Sequence, residues 1–402
     1  MKRSLMLLLI LFICLLESGC WNRRELGELG IVMATAIDMD KNNQWVTSFQ
    51  VVNPGAIATQ TGSGNSQSPV TTFSTKGKTL RDAFQNVSME TPRALFLAHN
   101  RVVLINEDVA KKGVKQIIDF YLRDIESRET MKIILTKGNA GEFLEILTPI
   151  EKISGNTIRK IFEKEESSLS MIRSINMHEF VTTLASSPLE SAVLPEIKVS
   201  GEQRKQTALE ALQKTRRHAA IQLGSIGVFR QAKLVGWLSQ EESLGLAWIS
   251  DAISNTVVTF PCDGTTYDKQ LSSFFVEKGS TKLIPSLVNG KPEITVDVKA
   301  KGVLEESACK LNLQDPKVLT KLEHSIQDEI KKEIEVAFKG AKRLKTDVLG
   351  FGNAFHTEYP SYWKEMKDNW GEAFMDIKMN VKVKANIRRT GIINNSVSKI
   401  LK

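Results

Sequence analysis

The sequence predicts an α+β fold: a multi-domain, mixed α/β ectodomain whose C-terminal antiparallel sheet is packed with one long helix. Three observations carry this. Strand-like and helix-like segments are interleaved up to about residue 200. From residue 219 several strand candidates follow one another. A single helical stripe then runs from Asp315-Pro316 to about Lys345. Ahead of all three stands a short apolar leader.

Residues 1–25 read MKRSLMLLLILFICLLESGCWNRRE. Lys2 and Arg3 form a positive front, and residues 5–16 are apolar without a break. A membrane-spanning helix needs roughly 20 apolar residues to cross about 30 Å of hydrocarbon, so this run is too short. A basic front, a short apolar run and the small residues Ser18 and Gly19 describe a cleaved secretory signal over 1–19. The ending Leu16-Glu17-Ser18-Gly19-Cys20 resembles a bacterial lipoprotein signal, although Glu17 stands where such signals carry Leu. That resemblance implies Cys20 as the lipid attachment site, bearing a diacylglycerol on its thiol and, with further processing, an N-acyl chain. An ordinary signal peptide that happens to precede a cysteine is the alternative. Cys14 lies inside the apolar run and is expected to leave with the signal.

Removing the first 19 of 402 residues leaves 383, enough for two or three domains. The formal charge is +8, and removing Lys2, Arg3 and Glu17 lowers it to +7. An exported chain rarely meets nucleic acid, so a nucleic-acid partner is not expected; a lipid bilayer is the more natural partner of excess positive charge, but a mixed solvated surface with a mild bias is the reading preferred here. Cys262 and Cys309 are permitted to pair outside the cytoplasm, but two cysteines make no disulfide framework, and burial as small apolar residues is the reading carried forward. His99, His178, His218, His324 and His356 are scattered without metal-ligand spacing. No metal and no cofactor beyond the lipid is expected.

The N-terminal α/β domain is expected over 20–200. Residues 29–39 read as a buried strand, DMDKNN (38–43) as a turn and 45–52 as the next strand. Residues 53–68 are almost wholly small and polar and read as a loop. A short strand at 70–74 and a helix capped by Thr79 follow. RVVLI (101–105) reads as a strand, and Asn106 caps a helix over 107–122 with Val109, Val114, Ile117, Ile118 and Tyr121 on one stripe. MKIIL (131–135) closes that unit. Over 139–200 the strand signal gives way to three helical segments, a candidate helical subdomain, before a short strand at 195–199.

Residues 201–218, polar and basic, read as a linker to a C-terminal α+β domain over 219–392 that can split near 305. There 221–229 and 233–238 form a hairpin, a short helix spans 241–249, and 256–260, 271–276, 281–288 and 293–300 are strand candidates suited to antiparallel pairing. Asp315 caps the long helix, and Pro316 fits its first turn because its missing N–H would be unpaired there. Leu319, Leu322, Ile326, Ile330, Ile334, Ala337, Ala341 and Leu344 form its apolar face, expected to lie across the sheet. Trp363, Met366 and Trp370 share a face of a short helix, and from Phe374 an alternating run reads as a long half-buried strand to Ile387.

Neither G-x-S-x-G nor G-x-x-x-x-G-K-[ST] occurs, and Gly350-Phe351-Gly352 lacks the third glycine of a dinucleotide loop. Paired acids such as Glu165-Glu166 and Glu241-Glu242 are adjacent on helices and face water in the ordinary case; a glycosidase pair assembled only in the fold remains open. The expected catalytic set is empty, and the chain reads as a tethered binding or scaffold protein.

Cys20-Trp21-Asn22-Arg23-Arg24-Glu25 with Leu29-Gly30-Ile31-Val32 resembles the mature start of the Ger(x)C family, the lipoprotein C subunits of spore germinant receptors. Gly224-Ser225-Ile226-Gly227-Val228-Phe229, Lys233-Leu234-Val235-Gly236-Trp237-Leu238 and Glu242-Ser243-Leu244-Gly245-Leu246 resemble its C-terminal half, continued by Asp347, Gly350, Gly352, Trp363, Trp370 and Gly391. The resemblance implies a mixed α/β fold without enzymatic activity. It also implies a lipid-anchored place on the outer face of the spore inner membrane, and integral membrane A and B subunits as partners in assembly or signal relay. Small-molecule binding is not expected in this subunit, and no germinant-contacting residue carries over. The competing reading is a solute-binding lipoprotein of an ABC transporter, which usually has strand–helix alternation in two similar lobes. A cell-envelope hydrolase is a third.

Overall fold

The computed structural model describes residues 25–58, 67–168, 170, 172, 174–186, 191–262, 271–309 and 311–390, with Met6. The chain opens with β1 (Leu29–Met39), β2 (Trp45–Val52), α1 (Pro54–Ala58), β3 (Val70–Gly77), α2 (Leu80–Asn86), β4 (Ala94–Phe96) and β5 (Val102–Asn106). There follow α3 (Glu107–Lys112), α4 (Lys115–Arg123), β6 (Lys132–Thr136), α5 (Gly141–Leu144), α6 (Ser154–Ser168), α7 (Met177–Ser186) and β7 (Val193–Gly201). The rest comprises β8 (Ala219–Arg230), β9 (Lys233–Leu238), α8 (Gln240–Ile249), β10 (Thr256–Pro261), β11 (Leu271–Val288) and β12 (Lys291–Ser307). Last come α9 (Pro316–Arg343), α10 (Phe351–Glu358), α11 (Pro360–Met366), α12 (Trp370–Asp376) and β13 (Lys378–Arg389).

Two sheets organise these elements, and the fold is α+β as the sequence predicts. The larger runs β3-β2-β1-β5-β6-β7-β8-β9, with β4 also beside β1. Its middle, β1-β5-β6-β7, is parallel, and its outer strands are antiparallel. A parallel strand buried on both faces needs apolar residues at every position. Accordingly, Val102, Val103, Leu104 and Ile105 of β5 are all buried. The single helix expected over 107–122 is two helices, because Gly113 adopts φ +129 between α3 and α4 and only glycine tolerates that region cheaply.

The second sheet runs β10-β11-β12-β13. Strands β10, β11 and β12 form the expected antiparallel meander, turned at Asn289 (φ 52) and Gly290 (φ 77). The segments 271–276 and 281–288 are one strand, continued through a bulge between Val276 and Lys278. Strand β13 joins β12 in parallel, with Val298 beside Val383. A parallel neighbour needs a crossover, and α9 to α12 supply it. Helix α9 lies against β10 and β13 and against α8; Ile326, Ile330, Ile334, Ala337 and Ala341 of its predicted stripe are buried.

The expected linker, 201–218, is spanned by the larger sheet. Gly201 of β7 pairs with Ala219 of β8, and the hairpin expected to open a C-terminal domain instead completes the first sheet. The intervening loop is polar yet anchored. Buried Gln206 accepts from the backbone N–H of His218 and Ala219 and exchanges bonds with Leu147. Composition reports the loop's polarity and cannot report which sheet its flanking strands join. Likewise α5 and α6, inside the candidate helical subdomain 139–200, pack on the first sheet, and β12 runs without a break through the possible division near 305. One buried cluster continues from Ala34 and Phe162 beside the larger sheet through Trp248 to Ile294 and Phe374 in the second unit.

Candidate functional site

The predicted lipid attachment residue, Cys20, lies outside the described residues, which resume at Glu25 directly before β1. Charged and motif side chains gather at a polar cleft on the larger sheet and at the seam where the two sheets meet.

The cleft lies at the carboxyl ends of the parallel strands, where open α/β sheets place their ligands. Asp38 of β1 is buried and accepts from the backbone N–H of Ala140 (2.9 Å) and Gly141 (3.0 Å) and from Asn106 Nδ2 (3.0 Å). Burial pushes its carboxyl above the ordinary aspartate range, and these three bonds act against the shift. Asp38 thereby fixes the turn after β6. Beside it, Lys137 Nζ sits 3.2 Å from Glu196 Oε2 and 4.4 Å from the centre of the Trp237 ring. Glu196 also accepts from the Ser225 backbone N–H at 2.7 Å. A Cβ at Gly224 would fall 2.5 Å from the same carboxylate, so any larger residue there would have to displace the Glu196 side chain. The cleft encloses about 590 Å³ and is lined by Lys137, Asn139, Glu196, Lys198, Gln203 and Ser225 among others. Lys137 and Glu196 are paired within it, and Lys198 and Glu142 also line it.

The seam is built on α8 and α9. Ser239 and Glu242 form a reciprocal capping box that fixes where α8 begins. Arg343 Nη2 reaches both Glu242 oxygens at 2.9 Å. Gly245 lets the helices touch: a Cβ there would lie 2.0 Å from the Glu333 carbonyl oxygen. One turn on, Trp248 Nε1 donates to Glu333 Oε2 at 2.7 Å. Burial is the main cause that lifts the Glu333 carboxyl to about 7; the indole N–H opposes it, and the carboxylates of Glu329 and Glu241 add to it.

Past α9, buried Asp347 accepts from the backbone N–H groups of Leu349, Phe351 and Gly352, the last at 2.6 Å, and from Trp370 Nε1 at 2.9 Å. Burial pushes its carboxyl up against these four bonds. The acid pins the start of α10 to α12, around which Phe351, Phe355, Trp363 and Phe374 pack. Trp363 and Trp370 meet at 5.2 Å, and a Cβ on Gly352 would lie 2.9 Å from both indoles. The motif residues Asp347, Gly352, Trp363 and Trp370 thus come together as a packing device, while Gly391 lies outside the described residues.

Sequence reasoning missed Glu196, Glu333 and Trp248. Glu333 lies one position from the Ile330/Ile334 stripe, and the small Gly245 opposite it was the available signal. Cys262 and Cys309 form a disulfide, with Cα atoms 6.4 Å apart, and are both buried, so the two thiols expected to be buried unpaired are paired. Their chain distance of 47 residues gave no sign that β10 and the end of β12 flank the same strand, β11. Among the described residues no group of three or more His, Cys, Asp or Glu is placed to hold a metal ion, and no helix is long and apolar enough to cross a membrane.

Comparison with known proteins gives a consistent result along the chain. A family model for the spore germination protein N-terminal domain matches residues 22–199, and one for the spore germination B3/GerAC-like C-terminal region matches 225–391. Spore germination protein KC of Bacillus subtilis (strain 168) is 33% identical over 402 residues, covering 98% of each chain. Spore germination protein B3 of the same organism is 24% identical over 395 residues, again covering 98% of each. The crystal structure of the GerBC protein superposes with a TM-score of 0.53 at 20% identity, covering 88% of this chain and 97% of that one. At that identity the match speaks for the fold.

Proposed function

The chain belongs to the spore germination GerAC-like family, the Ger(x)C proteins, and from this premise we propose that it is the lipid-anchored subunit of a nutrient germinant receptor in endospores. It is held through Cys20 at the outer face of the spore inner membrane, where it acts in assembly or signal relay with integral membrane A and B subunits. The observation that carries this reading is the run of the two family models over 22–199 and 225–391, behind a lipoprotein-like signal. The described sites suit the role: the cleft pairs Lys137 with Glu196, and the motif residues Glu242 and Gly245 sit in the helix seam between the two sheets. Contacts with proteins, rather than turnover of a substrate, are what such a body supplies.

The solute-binding alternative gains no support, since a nine-stranded mixed sheet and a four-stranded sheet are not two similar lobes. The test is Cys20→Ala in spores. The expected result is loss of the protein from the inner-membrane fraction and slowed nutrient germination; unchanged membrane retention and germination would refute the anchor. Co-purification of both integral membrane subunits with the wild-type chain, from detergent-solubilised spore membranes, tests the partners.

A further inference from the structure

The four-stranded sheet buries one face under α9 and α10 and leaves the other open. On that outer face the register sets lysines side by side. Lys278 of β11 lies opposite Lys301 of β12, and Lys299 of β12 lies beside Lys384 of β13. Between Lys282 and Lys382 stands the acid Asp297. None of these six lysines pairs with a carboxylate among the described residues. Of the acids on this side, Glu293 is engaged with Lys378 and Glu277 with Arg388 and Arg389, while Glu305 and Glu306 stand exposed near the end of β12.

Like charges directly across a ladder destabilise a sheet. Lysines that only blunt an edge against aggregation belong on the edge strand, but four of these six sit on the interior strands β11 and β12. The arrangement therefore works against the stability of the sheet and is not explained by edge protection. At the hairpin end the same face exposes Ile284 (48% exposed) and Val288 (46%), and at its other side Val257 (40%). A broad face, with strands running to about 60 Å at ~3.3 Å per residue, combines clustered cations with exposed apolar side chains. That is the chemistry of a surface lying on anionic headgroups, where each nearby Lys contributes about 1 kcal/mol.

We infer that the outer face of the β11–β12–β13 sheet docks on an anionic phospholipid surface and sets the orientation of the protein at the membrane. This rests on the membrane placement proposed above, but its test does not. The mature chain from residue 20, carrying Cys20→Ser, keeps every strand and helix labelled above and has no acyl chain. Its sedimentation with phosphatidylcholine vesicles, with and without phosphatidylglycerol, reads the face alone; mass spectrometry of the native protein separately reads acylation of Cys20. The expected result is binding only to the phosphatidylglycerol vesicles, lost as salt is raised. Lys278→Gln, Lys299→Gln, Lys301→Gln and Lys384→Gln combined should weaken it at least tenfold, with the thermal melt unchanged or raised. If the melt falls instead, Ile284→Ser with Val288→Ser provides the second variant, expected to weaken binding severalfold. Equal binding to both vesicle types, or retention of full binding in both variants, would overturn the inference. So would absence of vesicle binding with impaired germination in the lysine variant, which would point to an acidic protein as the occupant.

Discussion

Trp248 of α8 donates its indole N–H to the Glu333 carboxylate of α9 across 2.7 Å, placing a titratable group in the helix seam that joins the two sheets. Burial raises the pKa of this acid from 4.5 to about 7. Between those values the folded protein holds a proton that the unfolded chain has released, so stability falls as pH rises from about 4.5 to 7 and levels off above. The contribution is on the order of 1–3 kcal/mol. Glu333→Gln keeps an oxygen for the indole and removes the charge. Its stability relative to wild type should therefore rise over that window, measured by urea unfolding at pH 5 and pH 8. An equal difference at the two pH values would refute the assignment.

Gly245→Ala should separate the same helices. Its Cβ would meet the Glu333 backbone rather than a movable side chain, and overpacking of that kind costs about 1–3 kcal/mol. A lowered denaturant midpoint with an unchanged slope is expected.

Asp347→Ala leaves three backbone donors and the Trp370 indole without their acceptor. Each buried donor so orphaned costs about 1–3 kcal/mol where water cannot reach it. A loss of roughly 3 kcal/mol or more is expected, with a change in tryptophan emission as Trp370 loosens. Asp347→Asn retains one oxygen and should lose less.

Reduction of the Cys262–Cys309 bridge releases a loop of 47 residues. Chain entropy places the loss of stability at about 4 kcal/mol or below. Calorimetry with and without a thiol reductant checks it, and Cys262→Ser with Cys309→Ser should match the reduced protein.

Much of the fold was legible wherever a local period decided it. Strands β1 and β2 have the predicted bounds, because buried β-branched runs and the DMDKNN turn act within a few residues. The long helix is marked by the Asp315-Pro316 cap and its stripe. What the sequence could not convey was pairing between distant segments: β8 with β7, β13 with β12, Cys262 with Cys309. The alternation read from Phe374 to Ile387 marks a half-buried strand, which begins only at Lys378 because Phe374 still lies in α12, and it carries no direction for its neighbour. The candidate sites were less legible still, because Asp38, Glu196 and Glu333 owe their behaviour to backbone amides and indoles brought in from 85 or more residues away or from another element.

The parallel pairing of β13 with β12 also fixes the timing of folding. The strand that covers the β12 edge is the last in the described chain, and its partner lies before the whole of α9 to α12. A polypeptide delivered amino end first therefore carries an open β12 edge until its final strand arrives. Long-range parallel closure is slow, and an uncovered edge recruits other strands. Loss of even the final dozen described residues would leave that edge open permanently, making carboxyl-terminal truncation a route to misassembly rather than to a smaller working protein.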